Sequence, residues 1–343
     1  MTDIIAPWII APGPEALPGW AQDTINLASP RLGSAAVACS DDSFAPMARM
    51  LADPPAVFKP GLFDDFGKWM DGWESKRRRD DGYDWCVLRL GVLGMVRGFD
   101  FDTSHFTGNY PPAASVWASA ADEMPEDDAG WTEIVPSTDL GPSAHHLVEC
   151  GQPGPWRWLR LNIHPDGGIA RLRVYGDPVP SWDASGRDAV VELSALKNGG
   201  RVRAFNDAHY GDVWALLAEG RGADMGDGWE TRRRREPGND WLIVKLGAVG
   251  TVERIEVDTA HFKGNFPDRC SVQAARVAWG TGRSTVSQAM FWPELMGEQK
   301  LTGDAIHLFE GAAIRALGPV SHVKLNIFPD GGVSRLRIFG RRA

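Results

Sequence analysis

The sequence contains few cysteines and no long apolar run. Its four cysteines form no C-x-x-C pair, so we expect reduced thiols and neither disulfides nor structural zinc. No stretch of about 18 apolar residues occurs, and the first residues lack the basic and apolar regions of a signal peptide. We therefore expect a soluble, cytoplasmic protein without a membrane partner. The cysteines are Cys39, Cys86, Cys150 and Cys270.

An excess of positive charge is also missing. The 36 Lys and Arg residues stand against 45 Asp and Glu, which gives a net charge of −9 and no overall field to hold nucleic acid. The chain contains no nucleophile elbow, no Gly-rich phosphate loop and no H-E-x-x-H motif. Covalent acyl transfer, nucleotide binding and zincin chemistry are therefore unsupported.

Glycine, proline and tryptophan are abundant instead. The 343 residues include 39 Gly, 24 Pro and 15 Trp, which is typical of many tight turns and large aromatic anchors. The length allows two domains, each large enough to bury a core.

The chain repeats itself. Residues 71–79 (Asp-Gly-Trp-Glu-Ser-Lys-Arg-Arg-Arg) return at 227–235 and residues 102–111 return at 258–267, both after a shift of 156. Residues 161–168 return at 325–332, and residues 41–44 resemble 207–210. Gly and Pro near residues 176–181 indicate a linker. We therefore expect two diverged copies of one domain, 1–178 and 179–343.

Apolar residues in each copy alternate with polar ones, as in half-buried strands. Phe99 and Phe101 alternate with Asp100 and Asp102, for example. The pattern predicts a β-hairpin between 159–163 and 170–175 and one short helix per copy, at 45–51 and 212–219. We predict an all-β protein of two antiparallel β-sandwich or jelly-roll domains in tandem.

The first candidate site motif is the run of arginines after Asp-Gly-Trp-Glu. Guanidinium groups bind carboxylates through paired hydrogen bonds, so these arginines could hold a carboxylate ligand. The alternative is a solvated strand face on which the arginines pair with neighbouring acids. The candidates are Arg77, Arg78, Arg233 and Arg234.

The second motif, Asp-Thr-x-His-Phe-x-Gly-Asn, follows a predicted strand. His105 and His261 each lie three residues after an aspartate and could transfer protons. In the alternative, the aspartate caps the turn and the histidine packs beneath the following Phe. A metal site would need His146 or His307 in addition, and we expect neither a metal nor another cofactor.

Together the two motifs, with Asp84-Trp85-Cys86, closely resemble the allantoicase family in both copies. The resemblance extends from about residue 26 to 340. It implies two jelly-roll domains of the galactose-binding-like kind, a homo-oligomer, and hydrolysis of the small molecule allantoate to ureidoglycolate and urea in purine (allantoin) degradation. The C-terminal residues are not a peroxisomal tail, which keeps the cytoplasmic expectation.

Allantoate carries one carboxylate and two ureido arms, and this chemistry assigns roles to the repeated residues. We expect proton transfer by Glu74, His105, Glu230 and His261, and carboxylate binding by Arg77, Arg78, Arg233 and Arg234. Asn109 and Asn265 are expected to contact the ureido groups.

The copies also differ, because Ser104, Thr107 and His164 of the first become Ala260, Lys263 and Phe328 in the second. The sequence leaves open whether one copy or both hold a site, or whether the site lies at an interface. Two other functions remain open. One is a tandem carbohydrate-binding module with Trp73, Trp229 and Trp85 on an open face, and the other is a hydrolase of a related ureido or amidino compound.

Overall fold

The computed structural model describes residues 8–182, 186, 188–278 and 282–343. The chain forms two compact units, of which the first ends at Val179 and the second begins at Pro180. Each unit is an antiparallel β-sandwich, which confirms the predicted fold class. No helix in these described ranges is long and apolar enough to cross a membrane.

The first unit consists of strands joined by loops and short 3₁₀ helices. The 3₁₀ helices are Pro30–Leu32, Met47–Leu51 and Asp128–Gly130. The strands are β1 (Ile9–Ile10), β2 (Ile25–Asn26), β3 (Ala35–Cys39), β4 (Val57–Phe58), β5 (Phe63–Asp64), β6 (Gly67–Lys68), β7 (Trp73–Glu74), β8 (Asp84–Asp102), β9 (Ala113–Ser119), β10 (Thr132–Asp139), β11 (His145–Glu149), β12 (Trp156–His164), β13 (Gly168–Ile169) and β14 (Arg171–Pro178).

One long strand belongs to both layers of this sandwich. The first half of β8 pairs with β3 and β12, and the layer continues from β12 to β9 and β10. The second half pairs with β11 and β14, and that layer continues to β2. Gly91 lies between the halves, where a Cβ would stand 1.8 Å from the Leu32 carbonyl oxygen. A glycine is required there because the backbone of another segment passes too close for any side chain.

The core of the first unit is formed by the inward residues of both layers. Leu88, Leu159 and Leu161 of one layer and Phe99 and Phe101 of the other are fully buried. Polar residues such as Arg160 and Asp100 alternate with them, as the period of two predicts for strands.

The second unit repeats this topology around a strand of the same length, 19 residues. Its 3₁₀ helices are Leu196–Asn198, Val213–Leu217 and Gly311–Ala313. Its other elements are β15 (Val191–Glu192), β16 (Arg201–Phe205), β17 (Tyr210–Gly211), β18 (Trp229–Glu230), β19 (Asp240–Asp258), β20 (Arg269–Ala275), α1 (Gly282–Ala289), β21 (Glu294–Lys300), β22 (Ile306–Glu310), β23 (Val320–Phe328), β24 (Gly332–Val333) and β25 (Arg335–Arg342). The long strand β19 pairs with β16 and β23 in one half and with β22 and β25 in the other.

Two local predictions differ from the structure. The predicted hairpin is wrong, because β12 and β14 do not pair with each other; both pair with β8, in different layers. The turn between them therefore crosses from one layer to the other. The predicted short helices are 3₁₀ segments, Met47–Leu51 and Val213–Leu217, and the sequence does not predict α1.

The first unit carries an insertion that the second lacks. The indole of Trp73 donates to the carbonyl of Asp41, 32 residues earlier, and Trp229 donates to Asp207, 22 residues earlier. The two bonds are equivalent, so the first unit has ten more residues in this segment. The segment contains β4 and the small hairpin formed by β5 and β6.

Candidate functional site

Glu74 lies on a two-residue strand at the edge of the first sandwich. β7 pairs with β13, so that Gly168 lies opposite Glu74. Trp73 is fully buried, and the alternation of a strand turns Glu74 away from it. Glu74 is 9% exposed, and this burial raises the pKa of its carboxyl, an effect opposed in part by a hydrogen bond from Asn109 and by the charge of Lys68. Glu74 therefore retains a proton more readily than an ordinary glutamate.

Two adjacent glycines bring Asn109 to this carboxylate. The Gly168 amide donates to the Asn109 carbonyl at 2.7 Å, and the Asn109 Nδ2 donates to Glu74 Oε1 at 2.6 Å. A Cβ on Gly168 would lie 2.0 Å from the ring of Phe106, and Gly167 has a φ of +140°. Only glycine allows the backbone to approach the loop this closely.

His105 lies on the same loop in a strained conformation. Its φ is +70°, in the left-handed region that non-glycine residues rarely adopt. The Asp102 carboxylate accepts the Ser104 amide at 2.8 Å, and the Ser143 hydroxyl accepts the His105 amide at 3.2 Å. Asp102 thus caps the turn, as in the alternative interpretation, and does not orient the imidazole. The ring of His105 stacks on Phe58 at 5.9 Å between centroids.

These three side chains line one cavity of about 320 Å³. Glu74, His105 and Asn109, all predicted from the sequence as site residues, meet there. The opposite wall comes mainly from the inserted segment. The remaining lining residues are Phe44, Phe66, Gly67, Lys68, Met70 and Thr107. The volume is that of a small-molecule site.

The predicted arginines lie elsewhere. The Arg78 guanidinium binds Asp80 and Asp84, each at 2.7 Å, and its backbone amide donates to Asp166. Arg77 and Arg78 line a separate cavity of about 360 Å³ with Lys76 and Arg79. The structure therefore does not bring these arginines to the cavity of Glu74.

The same arginine network occurs in the second unit. Arg234 binds Asp240 at 2.6 Å, its backbone amide donates to Asp330, and Arg233 is exposed. Arg78 and Arg234 are thus paired with aspartates in both units.

The second unit also keeps counterparts of Glu74, His105 and Asn109, but, within its described residues, without the wall that the inserted segment forms in the first unit. Asn265 donates to Glu230, and His261 has a φ of +69°. The His261 Nε2 lies 2.7 Å from the Gly222 carbonyl, whereas the His105 Nε2 lies 3.4 Å from the Ala56 carbonyl. Glu230 is only half-buried, and no counterpart of the β5–β6 hairpin covers it in the described part of this unit.

The ring nitrogens of the two histidines that a metal site would need are hydrogen-bonded to backbone groups. The His146 Nε2 accepts the Gly141 amide at 2.7 Å and its Nδ1 lies 2.8 Å from the Phe101 carbonyl. His307 makes the equivalent contacts to Thr302 and Val257. Within the described ranges, no three His, Cys, Asp or Glu side chains are grouped to hold a metal ion.

The tryptophans contradict the carbohydrate-binding alternative. That function requires Trp73 and Trp229 on an open face, but both are fully buried and Trp85 is half-buried. The indoles anchor β7 and β18 to the core.

The sequence does not single out Lys68, Phe66 or Met70, although they form the wall of the cavity. A signal was present in the repeat itself. Asp41 and Asp207 are offset by 166 residues and Trp73 and Trp229 by 156, so the first copy has ten more residues between the aspartate and the tryptophan.

Comparison with known proteins agrees with this architecture. The allantoicase repeat model matches residues 25–179 and 191–343. The chain is 58% identical to the "Probable allantoicase 2" of Burkholderia pseudomallei over 95% of this chain and 97% of that protein. It is 54% identical to the "Probable allantoicase" of Rhizobium meliloti over 96% and 97%.

A crystal structure of allantoicase from Saccharomyces cerevisiae has the same fold. It matches with a TM-score of 0.79 and 35% identity, over 92% of this chain and 93% of that chain. The repeat model covers both units, and the relatives are similar over nearly their whole length. The resemblance inferred from the sequence is therefore confirmed, and the chain belongs to the allantoicase family.

Proposed function

We propose that the protein hydrolyses allantoate to ureidoglycolate and urea, and that the reaction takes place in the cavity of the first unit. Family membership supports the reaction. The single observation that supports the location is the convergence of Glu74, His105 and Asn109 on one small cavity.

The chemistry needs one proton donor and one proton acceptor. Water replaces one ureido group on the central carbon: a bond forms from the water oxygen to that carbon, the bond from the carbon to one ureido nitrogen breaks, and that group leaves as urea. Glu74 gives its proton to the leaving nitrogen, a role suited to a buried carboxyl with a raised pKa. His105 takes the proton from the attacking water. The charges of substrate and products balance, and the two side chains exchange their protons with solvent after turnover.

Asn109 has two parts in this proposal. One N–H of its amide holds Glu74 Oε1 at 2.6 Å and so directs the other oxygen, Oε2, toward the leaving group. Its second N–H and its carbonyl oxygen are suited to a ureido arm, because a urea presents both donors and acceptors.

The second unit has a lesser part. Glu230, His261 and Asn265 keep the same arrangement, but without the inserted wall they cannot exclude water to the same extent. We place the dominant site in the first unit. Arg77, Arg78, Arg233 and Arg234 then belong to the scaffold and not to the substrate.

The resemblance further supports a homo-oligomer that acts on this small molecule in the cytoplasm during purine degradation. Light scattering of the purified protein measures the oligomer, and a mass equal to one 37.5 kDa chain would contradict it.

The decisive assay measures urea release from allantoate, allantoin and ureidoglycolate in parallel. We expect release from allantoate alone, since allantoin is ring-closed and has no free carboxylate. Equal turnover of allantoin would contradict the proposal, and turnover of ureidoglycolate alone would favour a hydrolase of a related ureido compound.

A further inference from the structure

The cavity of the first unit receives its positive charge from the inserted hairpin. Lys68 ends β6, and its side chain lines the cavity together with Glu74, His105 and Asn109. It is the only lysine or arginine among the described residues that line this cavity.

The ammonium group of Lys68 has no ion-pair partner within the described ranges. The Lys68 Nζ lies over the ring of Phe58, 5.1 Å from its centroid. Phe58 in turn stacks on His105. The lysine also lies close enough to Glu74 for its charge to lower the pKa of that carboxyl. A cation in this setting is available to an anionic ligand, whereas the guanidinium of Arg78 is already occupied by two aspartates.

The hairpin that carries Lys68 is held in place by Arg49. The Arg49 guanidinium binds the Asp64 carboxylate at 2.6 Å and the Met70 carbonyl at 3.0 Å. It also packs over the rings of Phe66 and Trp69, at 5.8 Å and 5.7 Å from their centroids. The wall is therefore braced at both ends, and this fixes the origin of the lysine side chain.

We propose that Lys68 binds the carboxylate of the substrate and thereby makes the first unit selective for an acid over a neutral ureido compound. The inference rests on the proposed reaction and its site. It explains how a cavity without an available arginine accepts an anion. It also accounts for the lesser part that we propose for the second unit, whose described residues form no such hairpin.

The test compares Lys68→Met with Lys68→Arg. Loss of one charge-assisted contact is expected to raise the KM for allantoate about 10–100-fold with little change in kcat, because the contact exists before and during the reaction. Lys68→Arg should recover most of the affinity. The matched control is Lys59→Met on the same segment, whose ammonium lies over the ring of Trp8, 3.4 Å from its centroid, and not in the cavity. Its KM should stay within about twofold of the unmodified protein.

A neutral probe separates binding of the carboxylate from a structural effect. In the carboxamide of allantoate, an uncharged amide replaces the carboxylate. The unmodified protein should bind this compound at least about 10-fold more weakly than allantoate, and Lys68→Met should bind the two alike. An unchanged KM in Lys68→Met, or equal binding of the two compounds to the unmodified protein, would overturn the inference.

Glu74→Gln distinguishes this failure from failure of the proposed site. If Glu74→Gln is inactive while Lys68→Met is normal, the site stands and the role of Lys68 is wrong. If Glu74→Gln retains full activity, the site itself is wrong and the inference falls with it.

Discussion

The two units share a scaffold but not a cavity. In both, a 19-residue strand joins the two layers, a buried tryptophan anchors the strand that carries the glutamate, and an asparagine holds that glutamate. Within the described residues, only the first unit adds the hairpin of β5 and β6, which lines a cavity together with Glu74 and His105. The repeated motif therefore supplies one part of the lining of the proposed site, and the insertion supplies the rest.

The arginine network is a feature that the two units share. Arg78 and Arg234 make the same ion pair with Asp84 and Asp240, although their surroundings have diverged. Retention in both copies is thus compatible with a purely structural role. Presence in both repeats therefore does not by itself separate a scaffold residue from a site residue, because the Asn109–Glu74 contact also recurs as Asn265–Glu230.

The largest expected effect comes from the paired substitutions Glu74→Gln and Glu230→Gln. Glutamine keeps the acceptor for the asparagine but cannot give up a proton, so Glu74→Gln should lower kcat about 10²–10⁴-fold. The kcat of Glu230→Gln should stay within about twofold of that of the unmodified protein, because we propose the dominant site in the first unit. Steady-state urea release measures both. A loss of one half in each variant would show two equal sites and break the comparison.

The next effect is that of His105→Asn against His261→Asn. Asparagine tolerates the left-handed backbone at φ +70° and +69°, so both variants should fold, which circular dichroism checks first. The kcat of His105→Asn should fall about 10²-fold, whereas the kcat of His261→Asn should change little. If both single variants and the double variant keep full activity, the histidines are structural.

Arg78→Met and Arg234→Met should lower the stability of the protein equally and leave the KM for the substrate unchanged. Each removes the cation from an aspartate that is 1% exposed, and a buried carboxylate left without its partner is strongly unfavourable. Since the arginines themselves are 25% and 22% exposed, we expect a loss of about 2–3 kcal/mol in each unit. Denaturant unfolding measures this loss. A raised KM in Arg78→Met alone would instead support the carboxylate role inferred from the sequence.

Much of the fold was predictable because a period of two and a duplicated motif are local signals. The hairpin was mispredicted for a physical reason: residues 166–168 form a turn whether the strands on either side pair or lie in different layers. The site was predictable in part. Glu74, His105 and Asn109 lie in repeated motifs, whereas Lys68 lies in the segment where the repeat fails, so comparing the copies locates that segment but does not select the lysine within it.

The cavity that each side chain lines was the other feature that the sequence could not supply. Arg77 and Arg78 are adjacent in a motif with Glu74, yet their side chains line a different cavity from that glutamate. Proximity in sequence placed them in one predicted site. Glu74 lies on β7 and the two arginines lie on the loop that follows, and their side chains line different cavities.

The smallest expected effect is the pH-dependent contribution of one histidine–aspartate pair to the stability of the first unit. His145 of β11 lies 2.7 Å from the Asp100 carboxylate, and its Nε2 lies 3.0 Å from the carbonyl of Pro12 in the N-terminal segment. The hydrogen bond to Asp100 raises the pKa of His145 to about 9. The second unit has Ile306 at the start of the equivalent strand β22, so it has no such pair.

The sign follows from the two states of the chain. An unfolded histidine has a pKa of about 6.5, so the folded protein holds the proton more tightly. The stabilisation is therefore fully present below about pH 6.5 and is lost as the pH rises through about 9. Since the His145 side chain is 18% exposed, we expect a loss of about 1–2 kcal/mol. In His145→Gln this contribution to the pH dependence should disappear. Thermal unfolding between pH 6 and 10 measures it, with His209→Gln, at an exposed histidine of the second unit, as the control. An unchanged pH profile in His145→Gln would mean that the pair with Asp100 does not contribute to the stability of the first unit.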